Sequence, residues 1–213
     1  MVKAAYHIHG GNQAWFWSGT QYARVTYTPG GSDETVAGPS RVRDKWTALA
    51  NEDIGSVDAV CPVPGNEKRL YVFSGSNYMK LELDTESLVT TVETGLTPIT
   101  NGWQTLGRAG WDRIDAAMVV PKSEKNMYFF RGKEWIDVSW DDRLVSHGTI
   151  AESWPSLVKA KFETVDAILD NYDGTYYFFS GDRYARIKME EDNDTLIGSP
   201  FLLHDKWSSL YWV

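Results

Sequence analysis

Hydrophobic positions in this chain fall in short, dense runs, with neither a helical rhythm nor strict alternation. Runs such as Phe16-Trp17, Val72-Phe73, Phe129-Phe130 and Thr175-Tyr176-Tyr177-Phe178-Phe179 are built from aromatic and β-branched residues, the types that favour strands. Apolar residues at consecutive positions are expected where both faces of a sheet are covered by neighbouring sheets. Each run reaches a glycine: Ser18-Gly19, Ser74-Gly75, Arg131-Gly132 and Ser180-Gly181. Glycine at the first central position predicts a two-residue type II′ hairpin, whose first central residue needs positive φ. A third strand follows directly, as in Tyr184-Ala185-Arg186-Ile187-Lys188-Met189.

These runs belong to a repeat. Small-residue openings occur at Lys3-Ala4-Ala5, Asp58-Ala59-Val60, Asp115-Ala116-Ala117 and Asp166-Ala167-Ile168, so the units begin at 3, 58, 115 and 166 with steps of 55, 57 and 51 residues. The hairpin glycine comes 15 to 17 residues later, and an aromatic residue (Tyr22, Tyr78, Trp135, Tyr184) stands three positions beyond it. A second glycine (Gly38, Gly95, Gly148, Gly198) marks a fourth, outer strand. Each unit then closes on a tryptophan and a leucine three apart: Trp46/Leu49, Trp103/Leu106, Trp154/Leu157 and Trp207/Leu210. The closing segment reads as a short helix, with Trp and Leu on one face to seal the blade's outer edge. Asp44, Asn101, Glu152 and Asp205, each two residues before the tryptophan, are its candidate caps or acidic first-turn residues.

Four markers recurring in order four times predict an all-β, four-bladed β-propeller forming one domain over 1–213, with blades at about 1–51, 52–108, 109–158 and 159–213. Ala4, Ala59, Ala116 and Ala167 suit the innermost strands, where backbones crowd the axis.

Composition narrows the function. An apolar fraction of 42 %, with 10 Trp, 11 Tyr and 8 Phe, is enough to bury a substantial core. The net charge of −8 disfavours nucleic acid as a partner and suits small cations. The one basic cluster, Arg41, Arg43 and Lys45, is interrupted by Asp44 and reads as solvated surface. Cys61 is alone, which fits a reducing compartment. No apolar leader segment follows Met1 and no stretch of about 18 apolar residues occurs, so a soluble, cytoplasmic protein without a membrane partner is expected. Asn193-Asp194-Thr195 matches a glycosylation sequon by pattern alone.

The Asp-Ala-Ala opening, the Phe-Phe-x-Gly-x-x-Tyr hairpin and the Trp-x-x-Leu close resemble hemopexin repeats over essentially the whole chain. Within that family, Tyr27-Thr28-Pro29-Gly30-Gly31-Ser32-Asp33 leading to Gly38-Pro39-Ser40-Arg41-Val42-Arg43-Asp44 is similar to the hemopexin-fold seed albumins of legumes. The resemblance implies a disc with a central tunnel whose first strands present main-chain carbonyls to calcium or sodium, with chloride deeper in. Carried onto this sequence, the ligands are the main-chain oxygens of Lys3, Asp58, Asp115 and Asp166. Converging carbonyls suit a hard cation. Lys3 departs from the aspartate pattern, and its ammonium is expected to weaken the site. The side chains of the three aspartates have a simpler use as acceptors for turn amides.

Relatives of this kind also suggest haem or polyamine (spermine) as ligands and a homodimer as the assembly, and exposed aromatics on repeated blades suggest sugar. The haem candidates are His7, His9, His147 and His204. His7 and His9 share one strand face, whereas axial ligation needs imidazoles on opposite faces of the porphyrin. There is no Walker-type loop, no His-Glu-x-x-His, no Gly-x-Ser-x-Gly and no Cys-x-x-Cys. The acidic runs 190–194 and 170–174 lack calcium-loop spacing and read as solvated turns. The expected function is therefore non-enzymatic: a seed-albumin-like protein with a tunnel cation and haem or polyamine binding. Alternatives are a haemagglutinating, lectin-like module and a nitrogen store.

Overall fold

The computed structural model describes residues 1–8, 10–84, 90–190 and 193–213. Sixteen strands form four separate four-stranded antiparallel sheets. The first contains β1 (Ala4–Ile8), β2 (Gln13–Ser18), β3 (Gln21–Tyr27) and β4 (Asp33–Arg41), followed by helices α1 (Val42–Lys45) and α2 (Thr47–Asn51). The second contains β5 (Ala59–Val63), β6 (Asn66–Ser74), β7 (Asn77–Leu83) and β8 (Thr90–Pro98), with α3 (Ile99–Gly102) and α4 (Gln104–Arg108). The third contains β9 (Ala116–Val119), β10 (Asn126–Arg131), β11 (Glu134–Ser139) and β12 (Leu144–Thr149), with α5 (Ile150–Ser153) and α6 (Pro155–Ala160). The fourth contains β13 (Ala167–Asp170), β14 (Thr175–Ser180), β15 (Arg183–Glu190) and β16 (Asn193–Leu202), with α7 (Leu203–Lys206) and a 3-10 turn at Ser208–Leu210. Strand order is sequential in every sheet. The inner strands contact one another around the ring, β1 with β5 and β13, and β9 with β5 and β13.

The unbroken apolar runs have a direct cause. In β14, Tyr176 and Phe178 pack into the seam with the third blade, while Tyr177 and Phe179 pack into the seam with the first. In β2, Trp15 and Trp17 face the second blade, and Ala14 and Phe16 face the fourth. Every second strand is thus buried on both faces, and the core consists of four inter-blade clusters. Gly19, Gly75, Gly132 and Gly181 take φ of 55, 56, 56 and 61°, as their two-residue turns require.

The blade closure differs from a single helix with Trp and Leu on one face. Each tryptophan (Trp46, Trp103, Trp154, Trp207) is the hinge between two short helical segments, C-cap of the first and N-cap of the second. Rather than sealing an outer edge, it enters the seam with the next blade, as Trp46 does beside Leu70 and Leu81. Asp44, Glu152 and Asp205 do lie in the first turn of the first segment as acidic residues, but none of these three, nor Asn101, is its N-cap; in the third blade the cap is Thr149, whose hydroxyl oxygen accepts the Glu152 amide at 3.3 Å.

The second helical segment is instead capped by a carboxylate from the following blade's outer hairpin. Asp142 accepts from the amides of Gln104 (2.7 Å) and Thr105 (3.1 Å), and Asp194 accepts from that of Ser156 (2.9 Å). Asp33 accepts from Ser208 (3.2 Å) and Ser209 (2.6 Å), joining the first blade to the last. The corresponding hairpin of the second blade includes 85–89, outside the described residues.

Candidate functional site: the two ends of the tunnel

One end of the axis is framed by the residues that enter the inner strands. Lys3, Asp58, Asp115 and Asp166 donate their amides to the carbonyls of Trp17 (2.8 Å), Phe73 (2.9 Å), Phe130 (2.9 Å) and Phe179 (2.8 Å). Among the described residues, no backbone amide donates to the carbonyls of these four positions. This leaves four main-chain oxygens at equivalent places in the four blades without backbone partners, and carbonyl oxygens are the donors that calcium or sodium takes. Among the described residues no cluster of three or more His, Cys, Asp or Glu side chains could hold a metal, so side chains offer no competing centre of that kind.

The aspartate side chains have another task. Asp58, Asp115 and Asp166 each accept from the amide of the hairpin glycine of their own blade, Gly75, Gly132 and Gly181, at 2.7 Å. This locks the start of the inner strand to the tip of the next hairpin. Lys3 cannot do so; its ammonium lies 3.5 Å from the Asp166 carboxylate, a cross-blade ion pair at the rim.

At the other end a cavity of about 680 Å³ touches all four inner strands. Tyr6, Tyr172 and Tyr176 form its aromatic wall, and Asp170 and Glu67 supply carboxylates. Tyr6 donates its hydroxyl to the carbonyl of Glu67 at 2.6 Å. Tyr172 adopts φ of 57°, a left-handed conformation uncommon for a bulky residue. Its amide donates to Asp170 at 2.7 Å, and its ring stands edge-on to His7 with centroids 5.1 Å apart.

Three carboxylates, Glu67, Glu124 and Asp170, and two ammonium groups, Lys68 and Lys122, line the cavity. Burial raises the Asp170 carboxyl to about 6, opposed by the Tyr172 amide and reinforced by Glu67 and Asp173. The hydroxyls of Tyr6, Tyr172 and Tyr176 are all pushed upward, first by burial and then by these same carboxylates.

The structure separates the candidate histidines. His7 is buried at 8 % exposure, with Nε2 2.9 Å from the Gly11 carbonyl and Nδ1 2.9 Å from the Tyr27 hydroxyl and 3.1 Å from the Asp170 carbonyl. Both ring nitrogens are engaged within the protein. His147 lies on the outer strand β12 and His204 in α7, both exposed and on different blades. His9 lies outside the described residues.

The run 170–174 is a turn, but not a solvated one throughout. Asn171 is 6 % exposed; it accepts from the Tyr27 hydroxyl at 2.8 Å and donates to Thr175 Oγ1 at 3.0 Å. Asp170, Tyr172, Tyr6, Tyr176 and Glu67 were not singled out by sequence as site residues. The one available signal was a tyrosine placed inside an otherwise polar, Asx-rich turn.

Four sequential four-stranded blades around a tunnel, each closed through a tryptophan, define a four-bladed β-propeller of the hemopexin type. Known proteins with this architecture that resemble the chain are legume seed albumins. No family model matches. Albumin-2 of Lathyrus sativus is 24 % identical over 195 residues, covering 88 % of this chain and 86 % of that protein. The structure of a 2S albumin seed protein from Dolichos superposes with a TM-score of 0.88 at 26 % identity, over 98 % of this chain and 97 % of the other. Two further structures share the fold: a plant lectin with two metal binding sites from Cicer arietinum (TM-score 0.89, 23 % identity, 100 % and 99 % covered) and the hemopexin fold protein CP4 from cow pea (0.89, 22 %, 100 % and 99 %).

Proposed function

We propose that this chain is a non-enzymatic, seed-albumin-like binding protein that holds a calcium or sodium ion on the main-chain oxygens of Lys3, Asp58, Asp115 and Asp166 and takes a polyamine such as spermine in the opposite mouth. The observation that carries the second half is the axial cavity of about 680 Å³ with a tyrosine wall, where the carboxylates Asp170, Glu67 and Glu124 outnumber the lysines Lys68 and Lys122. Tyrosine faces and carboxylates together suit an alkylammonium: the ring quadrupole attracts the cation, and the carboxylate fixes its position. The overall charge of −8 favours the encounter.

Calorimetric titration with spermine tests this reading. One saturable site per chain is expected, weakened about tenfold by Asp170→Asn, the loss of one charge-assisted contact. Equal binding by the variant, or no saturable heat, removes the polyamine. For the rim ion, protein dialysed against chelator should retain about one metal per chain by elemental analysis. Metal-free protein that melts at the same temperature as loaded protein would defeat that half.

A lectin-like reading is favoured by large exposed aromatics on the outer surface, Trp140 at 62 % and Tyr211 at 68 %, which offer faces for sugar stacking. Haemagglutination abolished by a competing sugar and by Trp140→Ala would establish it. A homodimer would supply the valency it needs.

A further inference from the structure

A smaller cavity of about 240 Å³ opens at the seam where the last blade meets the first, far along the chain from any residue of the tunnel rim except Asp166. Its floor is the loop Thr28–Ser32 of the first blade, and its walls are Tyr177, Tyr184, Arg186, Ile197, Phe201 and Lys206 of the last. The backbone comes close by design: the Gly30 amide donates to the Tyr177 hydroxyl at 2.6 Å, and a Cβ at Gly30 would stand 2.9 Å from Arg186 Nη1.

Two cationic groups face this space with capacity to spare. Arg186 spends Nε and Nη2 on Thr175 Oγ1 (3.3 and 3.2 Å) and Nη2 on Asp173 (3.5 Å), whereas Nη1 has no protein acceptor among the described residues. Lys206 makes no ion pair among the described residues; its ammonium lies 5.1 Å from the Phe201 ring centroid. The carboxylate that also lines the cavity, Asp33, is committed to the amides of Ser208 and Ser209. Apolar surface is presented beside the cations, with Phe201 41 % and Ile197 37 % exposed. A cleft that offers apolar and aromatic faces beside two cationic side chains has the composition of a small-molecule site. Arginine is the side chain best shaped to take a carboxylate.

We propose that the seam cavity binds a small aromatic monocarboxylate, with its carboxylate on Arg186 Nη1 and Lys206 Nζ and its ring against Phe201 and Ile197. The polarity of this site is opposite to that of the tunnel mouth, so the two ligands do not compete.

Naphthoate is a suitable probe, read by quenching of the intrinsic fluorescence to which Trp207 at the cavity wall contributes and by calorimetry. One saturable site per chain is expected, unaffected by spermine. Lys206→Gln should weaken it about fivefold to tenfold by removing one charge-assisted partner, and Phe201→Ser by a similar factor. Both positions are exposed, so the variants should melt as the parent does. The uncharged naphthamide should bind at least tenfold more weakly, as a site built around cations requires. Naphthamide binding as tightly as naphthoate, an unchanged affinity in Lys206→Gln, or no saturable signal at millimolar naphthoate would each overturn the proposal.

Discussion

Replacing Asp33 by alanine tests how the ring is held shut. This carboxylate belongs to the first blade, at the start of β4, yet it caps the final 3-10 turn, 175 residues away in sequence. It accepts from the Ser208 amide at 3.2 Å, from the Ser209 amide at 2.6 Å and from the Ser208 hydroxyl at 3.5 Å. Ser209 is only 4 % exposed, so water cannot readily replace the lost acceptor for its amide. Loss of a helix cap costs about 0.5–2 kcal/mol, and a buried donor left unpaired costs about 1–3 kcal/mol. Because these describe overlapping losses, a total of about 2 kcal/mol is expected. For a chain of this size that corresponds to a fall in melting temperature of roughly 4–8 °C, readable by calorimetry or by urea titration with an unchanged slope. Asp33→Asn keeps one of the two accepting oxygens, enough for the buried Ser209 amide, and should recover part of the loss. An Asp33→Ala protein within about 0.3 kcal/mol of the parent, or an Asn variant as unstable as the Ala variant, would refute the capping argument.

Stability should rise as the solution is acidified from pH 7 towards 5. Burial raises the Asp137 carboxyl to about 6, and Asp170 likewise reaches about 6. Folded values above the unfolded one mean that the contribution is fully present below the unfolded carboxylate pKa and is lost as pH rises through about 6. Asp137, 5 % exposed with Oδ1 unpartnered, should give a variant, Asp137→Asn, that is more stable than the parent at pH 7 and no more stable at pH 4. Thermal melts at the two pH values decide it. Gly132→Ala forces a Cβ into φ of 56° and should destabilise by about 1 kcal/mol; a melting temperature equal to that of the parent would show that the turn can relax.

The architecture was legible because repetition amplifies weak local signals. Gly19 alone is an ordinary glycine, but Gly19, Gly75, Gly132 and Gly181 at matched offsets fix four hairpins, and the two-sided burial of β2 and β14 explains why alternation was missing. The tryptophan was legible as a closing marker and misread as a face of one helix, since a hinge between two segments of three to six residues has no periodicity of its own. The cross-blade caps from Asp33, Asp142 and Asp194 were invisible for another reason: their partners lie 37 residues away or more, and a capping rule read along the chain looks only three residues ahead. The mouth residues Tyr6, Glu67, Asp170 and Tyr172 come from three different blades, so only the closed ring gathers them.

Each blade is continuous in sequence, so no strand exchanged between the ends of the chain locks this ring. The closing seam must therefore hold by side chains, and the first unit departs from the repeat at several of the places where they act. Lys3, in place of aspartate, pairs with Asp166 across the seam. His7 reaches the Asp170 carbonyl, Tyr27 donates to Asn171, the Gly30 amide meets Tyr177, and Asp33 caps the last turn. Four-fold symmetry would place an aspartate at position 3 and free its carboxylate to bind Gly19, as its three counterparts bind their glycines. Substituting lysine gives up that tie within the first blade for one between the first blade and the fourth. The partly exposed ion pair itself contributes about 1 kcal/mol, but it stands at the rim where the tunnel cation would sit. With the proposed cation bound there, ring closure and cation affinity would be set against each other at a single residue.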